Sequence, residues 1–250
     1  FEKLGISSET IFYKDINEMI KEINPEFVSI CTPAGSHLDI VKKITKGSNL
    51  KYIFCEKPVG ISVKETEEII AICKNKKVIL GTNYMRRWED KYINIKEKIL
   101  NKEYGNLLAI NANGATALYT SASHLIDLMI YFSGQVSEVS GILQTNYIRE
   151  VHGHKDFGAN AFLKFKSGVT GHLKAVSKSP KFYMFEIDLL FEEGRIEIRN
   201  DGEKIIESRF TSNKSNSGSD FMALEEEENK VYSNERMLSA LTDITNTTHP

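Results

Sequence analysis

Polar residues follow three short apolar runs in the first third of the chain, where they could bind a ligand or take part in catalysis. Each run is suited to a buried parallel strand. In an open α/β sheet, ligands bind beyond the carboxyl ends of the strands. The polar residues at these ends are Thr32-Pro33, Glu56-Lys57-Pro58 and Asn83-Tyr84.

His124 and Asp127 form a second candidate group. They lie in the apolar segment SHLIDLM, and their spacing of three residues puts them on one face of a helix. A lone histidine in such a segment is more often a satisfied structural group than a catalyst. Asp127 could orient the imidazole, bind a ligand or serve as a buried hydrogen-bond acceptor.

His152 and His154 have the HxH spacing of a metal-ligand pair. No carboxylate or cysteine joins them at ligand spacing, so a solvated loop is expected there and no metal site is predicted.

Strand-like and helical segments alternate through residue 84. Ser62 and Glu65 make a capping box that marks the start of one helix. The alternation predicts right-handed crossovers and a parallel sheet. Residues 1–86 are therefore expected to form part of a doubly wound α/β domain.

The pattern changes after Arg87. Tight turns such as Lys166-Ser167-Gly168 and Asn200-Asp201-Gly202 separate apolar runs. Residues 87–250 are therefore expected to form an α+β domain with an open, mostly antiparallel sheet. An uncovered apolar face of that sheet predicts a homodimer or homotetramer. The stretch 211–230, rich in Ser, Asn and Glu, is expected to be a mobile loop.

Composition excludes several classes of protein. The formal net charge is −2, with 41% hydrophobic and 26% charged residues, so nothing favours a nucleic-acid partner. No apolar run reaches the roughly 18 residues of a membrane span. Cys31, Cys55 and Cys73 lack CxxC spacing and suit the reducing cytoplasm.

Four motifs, in order and with matching spacing, resemble the Gfo/Idh/MocA family of oxidoreductases. Each is weak alone, but the four occur in the family's order and the two-domain layout also matches, so the resemblance covers nearly the whole chain. The resemblance implies a Rossmann-type first domain and hydride transfer between NAD or NADP and a sugar, nucleotide sugar or cyclitol. The motifs are Cys31-Thr32-Pro33 with His37, Cys55-Glu56-Lys57-Pro58, Gly81–Trp88 and Ser123–Leu128.

The same resemblance implies catalytic roles for Lys57 and His124. Oxidation of a carbinol requires removal of the hydroxyl proton as the hydride leaves, and a lysine and a histidine can move that proton.

Other residues are implied in binding. Glu56 is expected to hold the nicotinamide ribose, and Pro58 to fix its turn. The remaining implied binding residues are Thr32, Pro33, His37 and Lys57 for the cofactor, and Tyr84, Arg87 and Asp127 for the substrate. His37 alone could equally be a helix cap, Arg87 a surface arginine and Tyr84 a core residue.

The sequence departs from the family pattern at both ends. Members open with a strand, a glycine-rich turn and a helix that hold the pyrophosphate, but no GxGxxG motif occurs here. Gly153 and Gly158 are expected in a polar loop between strands and do not form such a phosphate-binding turn. The chain also begins without Met, and no closing helix is visible before Pro250. A piece of a longer protein is therefore expected.

A further departure concerns the mechanism. Many family dehydrogenases carry an aspartate four residues before the histidine, whereas this chain has Thr120, which cannot act as an acid or base near neutral pH. Another branch of the family has an Asn-Gly-Ser-His type of segment, which this stretch resembles better. Ser121 and Ala122 stand here in place of its Asn and Gly. Two alternatives therefore stay open. One is a non-redox epimerase or NAD-dependent glycosidase, and the other is a catalytically silent relative that binds cofactor.

Overall fold

The computed structural model divides the chain into two compact units. They are Phe1–Tyr84 and Met85–Pro250, and each has its own hydrophobic core. The structure describes residues 10–47, 49–151, 153–178, 184–211 and 223–225.

The first unit contains a parallel sheet of three strands and three helices, which confirms the predicted α/β alternation. The strands pair in chain order, and Ile30, Cys55 and Thr82 are neighbours across it. The elements are α1 (Ile16–Ile23), β1 (Phe27–Ile30), α2 (His37–Ile44), β2 (Tyr52–Cys55), α3 (Val63–Lys76) and β3 (Ile79–Thr82).

The capping box at the start of α3 is present, with one change of partner. The Ser62 hydroxyl accepts a hydrogen bond from Glu65 N at 3.1 Å. The Glu65 carboxylate accepts from Ile61 N, also at 3.1 Å, rather than from Ser62 N. Both bonds satisfy main-chain donors at the helix entrance.

The helices of the first unit pack on one face of the sheet. Ile30, Ile53 and Cys55 lie against Val41 and Ile69 in its core. Burial therefore alternates along the strands, with Ile53 and Cys55 buried and Tyr52 exposed, since only that face is covered among the described residues.

The second unit is built on an eight-stranded sheet with the order β11-β10-β9-β8-β4-β7-β6-β5. Among the described residues of this sheet, β4 and β7 are the one parallel pair, which confirms the mostly antiparallel sheet. The strands are β4 (Leu107–Gly114), β5 (Val136–Val151), β6 (His154–Phe165), β7 (Thr170–Ala175), β8 (Phe185–Phe191), β9 (Gly194–Arg199), β10 (Lys204–Thr211) and β11 (Ala223–Glu225).

Two helices cover one face of this sheet. They are α4 (Asp90–Leu100) and α5 (Ser123–Ser133). Tyr92 from α4 and Leu128 from α5 are fully buried together with strand residues such as Ile187. The apolar character of α5 on most of its surface follows from this burial.

The hairpin of β5 and β6 differs from the sequence-based expectation. Gly158 was expected in a polar loop but lies within β6, as does His154; His152 falls outside the described residues. A Cβ at Gly158 would lie 2.5 Å from Ala175 O, so the close approach of β7 requires glycine here. Strand pairing, rather than local polarity, therefore determines this segment.

The expected loop at 211–230 is also partly wrong. Thr211 ends β10, and Ala223–Glu225 pairs with that strand in antiparallel register as β11. The rest of that stretch lies outside the described residues.

The face of the sheet opposite the helices is apolar only in part. On β8 and β9, Arg195 pairs with Asp188 at 2.5 Å, and Arg199 pairs with Glu186 at 3.1 Å. The expectation of one broad apolar face is therefore wrong for this half, because cross-strand ion pairs occupy the outward positions.

A buried ion pair anchors the first segment of the second unit, Met85–Trp88, to the turn that contains Asp201. Arg86 Nε donates to Asp201 Oδ1 at 2.5 Å, and the two side chains are 8% and 9% exposed. Tyr92 Oη donates to the same oxygen at 3.0 Å. The Lys91 ammonium donates to the Asp201 carbonyl, also at 3.0 Å. Burial alone would raise the pKa of Asp201, but the hydrogen bonds and charge of Arg86 hold it below its ordinary value.

We predict that Asp201→Asn lowers the free energy of unfolding by about 3–5 kcal/mol, because it removes the carboxylate that is paired with the buried Arg86 charge. Since the pKa of Asp201 is lowered in the folded state, its stabilising contribution is present above the ordinary carboxyl pKa and is lost as pH falls below it. Urea unfolding from neutral pH to below about pH 4 measures both effects.

The matched control is Asp39→Asn, which removes an exposed ion pair with Lys43. Little change is expected, because solvent screens such pairs. Equal stability of Asp201→Asn and wild type at neutral pH would contradict the role assigned to the buried pair.

Candidate functional site

Glu56 lies at the carboxyl edge of the parallel sheet, where main-chain bonds extend the strand ladder. Glu56 N donates to Ile30 O at 2.9 Å, and Asn83 N donates to Cys55 O at 2.8 Å. The Asn83 side chain donates to Glu56 Oε1 at 2.6 Å, and Lys57 N donates to Oε2 at 3.3 Å. The carboxylate is thus oriented at the strand end and partly exposed, which suits it to accept hydrogen bonds from ligand hydroxyls.

Lys57 and Pro58 continue directly from this carboxylate. The peptide bond between them is cis. The Lys57 side chain is half-buried, as are Pro58 and Tyr84, which follows Asn83. All of them therefore lie at or just beyond the edge where the polar residues were predicted to gather.

The Thr32-Pro33 turn is closed by hydroxyl groups. Ser36 Oγ donates to Pro33 O at 2.8 Å and lies 2.7 Å from Thr32 Oγ1. Because the Ser36 proton is directed to the carbonyl, the Thr32 hydroxyl donates to Ser36. The turn after β1 is therefore fixed, while Thr32 and Pro33 remain exposed.

His37 is fully buried as the first residue of α2. Its Nε2 lies 2.7 Å from Thr32 O, and its Nδ1 lies 3.1 Å from Val59 O. The ring thus joins the loop after β1 to the loop after β2, and it can affect a ligand only through these loops. Cys55 Sγ lies 3.3 Å from Nδ1, and burial followed by the Glu56 charge raises the Cys55 pKa to about 12, so it is not a nucleophile.

In the second unit, the candidate residues lie on and beside α5. A π-helical turn, Leu118–Ala122, leads directly into the helix. His124, in the first turn of α5, is only 8% exposed. It therefore occupies a mostly desolvated position next to an irregular turn, a feature often found at functional sites.

Arg87 and Asp127, both predicted to bind substrate, form a bidentate ion pair with each other. Arg87 Nε and Nη2 donate to the two Asp127 oxygens, each at 2.8 Å. The guanidinium also lies over the Tyr131 ring, 5.0 Å from its centroid. The pair orients both side chains and joins the segment before α4 to α5.

Asp156 was missed in the sequence. Its carboxylate accepts hydrogen bonds from Tyr119 N at 2.7 Å and Thr120 N at 3.0 Å. The residue is only 2% exposed. The one available signal was an acidic residue three positions before the apolar residues that begin at Ala159, and nothing in the sequence indicates its partners 36 and 37 residues earlier.

Metal sites and membrane spans were sought within the described ranges. There, no group of three or more His, Cys, Asp or Glu side chains is arranged to hold a metal ion. No helix in that part of the chain has the length and apolar character that a membrane crossing requires.

Two family models match the chain in order. The model of an oxidoreductase family with an NAD-binding Rossmann fold matches residues 1–84. The model of the GFO/IDH/MocA C-terminal domain matches residues 94–197. The two matches together cover most of the chain and both of its structural units.

Curated relatives agree with this match. The chain is 27% identical over 212 residues to myo-inositol 2-dehydrogenase of Thermotoga maritima, covering 78% of this chain and 62% of that protein. It is 27% identical over 211 residues to the NAD⁺-dependent scyllo-inositol 2-dehydrogenase of Bacillus subtilis, covering 78% and 60%. The chain therefore spans somewhat less than two thirds of the length of these relatives.

A solved structure shows the same fold. The WlbA dehydrogenase from Bordetella pertussis, in complex with NADH and UDP-GlcNAcA, superposes with a TM-score of 0.67 at 18% identity, covering 76% of this chain and 63% of that one. With both units matched in order by models of one family, the chain belongs to the Gfo/Idh/MocA family of oxidoreductases.

Proposed function

We propose that the protein containing this chain transfers a hydride between NAD or NADP and a hydroxyl-bearing carbon of a sugar, nucleotide sugar or cyclitol. The observation that carries the proposal is the carboxyl edge of the parallel sheet. There Asn83 orients the Glu56 carboxylate, and Lys57 follows it directly. The family membership and the inositol dehydrogenases among the relatives support the same chemistry.

The residues at this edge fit a dinucleotide. Glu56 presents a held carboxylate that can accept hydrogen bonds from the hydroxyls of the nicotinamide ribose. Thr32 and Pro33 lie in an exposed turn that can flank the adenosine and pyrophosphate, and His37 fixes that turn from behind. When bound, the nicotinamide cofactor supplies or accepts the hydride.

Two residues of this chain are proposed to move the hydroxyl proton. Lys57 is proposed to accept it as the hydride leaves, and His124 is proposed as a second proton-transfer residue, as the family resemblance implies. Tyr84 is proposed to contact the substrate. Arg87 and Asp127 are proposed to bind it as a pre-oriented pair, because their mutual hydrogen bonds fix both side chains.

We predict that Lys57→Ala and His124→Ala, each in the full-length protein, lower kcat about 10²-fold or more, the usual scale for a positioned acid–base group. The KM for the cofactor should change much less, because the lost interaction strengthens as the alkoxide develops. Steady-state turnover followed by the absorbance of reduced nicotinamide, over a screen of cyclitols and sugars, measures this.

Lys51→Ala serves as the control, since Lys51 is exposed and its ammonium pairs with Glu26. Turnover preserved in both Lys57→Ala and His124→Ala would contradict the catalytic assignment. Product formation without a net change in reduced nicotinamide would indicate the non-redox alternative. Cofactor binding without any product would favour the catalytically silent relative.

We also propose that the second unit forms a homodimer or homotetramer through β5 and β6. Exposed apolar side chains lie on both faces of this hairpin. Val139 shares the face of the buried Leu163, whereas Ile142 and Phe162 lie on the opposite face. Ile142 is 78% and Phe162 68% exposed, and burial against another copy would remove this apolar surface from water.

We predict that full-length wild type is oligomeric at micromolar concentration in light scattering, whereas Ile142→Asp and Phe162→Asp shift it toward monomer. A charge placed in an apolar interface is desolvated without a partner, which opposes association. Val63→Asp, at a 76% exposed position on α3, is the control and should leave the mass unchanged. A monomeric wild type would overturn the proposal.

The proposed compartment is the cytoplasm. The three cysteines are free, with Cys55 and Cys73 buried and Cys31 exposed. Free thiols are typical of a reducing compartment.

A further inference from the structure

The helical run that carries His124 begins without a cap of its own. It starts with the π-helical turn Leu118–Ala122, and the preceding residue, Ala117, has no side chain that can accept a hydrogen bond. The first N–H groups of a helix have no partner within the helix and attract negative charge. An acceptor from another element can satisfy these groups.

Asp156, on β6, provides that acceptor. Its two carboxylate oxygens take the N–H groups of Tyr119 and Thr120 separately, at 2.7 and 3.0 Å. With the residue only 2% exposed, the carboxylate depends on these bonds, because a buried charge is costly unless hydrogen-bonded. The contact therefore fixes the turn to β6 through a buried carboxylate.

The fixed turn lies one helical turn before His124. Thr120 and His124 are four residues apart and so share a helix face. The next contact in the run comes from Ser123, whose hydroxyl donates to Thr120 O at 2.8 Å. The turn that Asp156 holds is therefore linked by a hydrogen bond to the first turn of α5, which carries the imidazole.

We propose that Asp156 is a positioning residue, which holds the π-helical turn so that His124 takes up its working orientation. This proposal rests on the proposed function of His124.

The test uses Asp156→Asn in the full-length protein. The amide keeps the size of the carboxylate but offers one acceptor oxygen, so one of the two N–H bonds is lost. We expect kcat to fall about 10- to 100-fold, the scale of a small misplacement of a catalytic group. The KM for cofactor should stay within about threefold, since it reports uniform binding rather than the transition state.

A double-mutant cycle separates positioning from general destabilisation. If Asp156 acts through His124, Asp156→Asn should have no further effect on kcat in the His124→Ala background. An equal loss of kcat in both backgrounds would overturn the inference. Asp188→Asn, which removes a partly exposed carboxylate paired with Arg195 elsewhere in the same sheet, is the matched control and should retain kcat.

Amide hydrogen exchange provides a readout that does not depend on turnover. Asp156→Asn should speed exchange at Tyr119 and Thr120, while exchange in α4 stays unchanged. Unchanged exchange at both amides would overturn the inference even if no substrate is found. If wild type turns over and Lys57→Ala and His124→Ala are inactive, but Asp156→Asn keeps full kcat, only this inference fails and the proposed function stands.

Discussion

The buried pair of Arg86 and Asp201 is the interaction on which the arrangement of the second unit depends. Asp201 lies in the turn between β9 and β10 with a left-handed backbone, φ 58°. Arg86 reaches it from the segment before α4, while the next residue, Arg87, pairs with Asp127 on α5. Two consecutive arginines thus attach one segment to the sheet and to the helix of His124. A planar guanidinium with fixed donors is suited to both bidentate contacts.

The candidate site of the first unit depends on a different constraint, the register of a parallel sheet. Parallel strands end at a common edge, and the ladder continues for one residue beyond β2 and β3 into Glu56 and Asn83. That continuation places the Asn83 amide against the Glu56 carboxylate. The buried ring of His37 then joins the two loops beyond this edge through their carbonyl oxygens. Main-chain geometry therefore orients the polar side chains more than direct contacts among them do.

Local patterns predicted much of the fold because the relevant forces are local. Ser62 and Glu65 marked the start of α3 by hydrogen bonds within one turn. The Asn200-Asp201-Gly202 turn was recognisable because few residues other than glycine, asparagine and aspartate tolerate a left-handed backbone. The full extent of β5 and β6 was not predictable, since their polar ends are held by pairing with neighbouring strands and not by an apolar pattern of their own.

The sequence by itself determined the family, the order of the two units and the residues at the carboxyl edge. Motif order and apolar periodicity can be recognised in the sequence without any information about distant contacts. Only the tertiary structure decided how the polar residues are used. It paired Arg87 with Asp127 across 40 residues, buried His37 behind the loops and brought Asp156 to the turn of Thr120. Such partners are chosen by the packing of strands and helices distant in the chain, and no local pattern encodes which buried acceptor a main-chain donor will find.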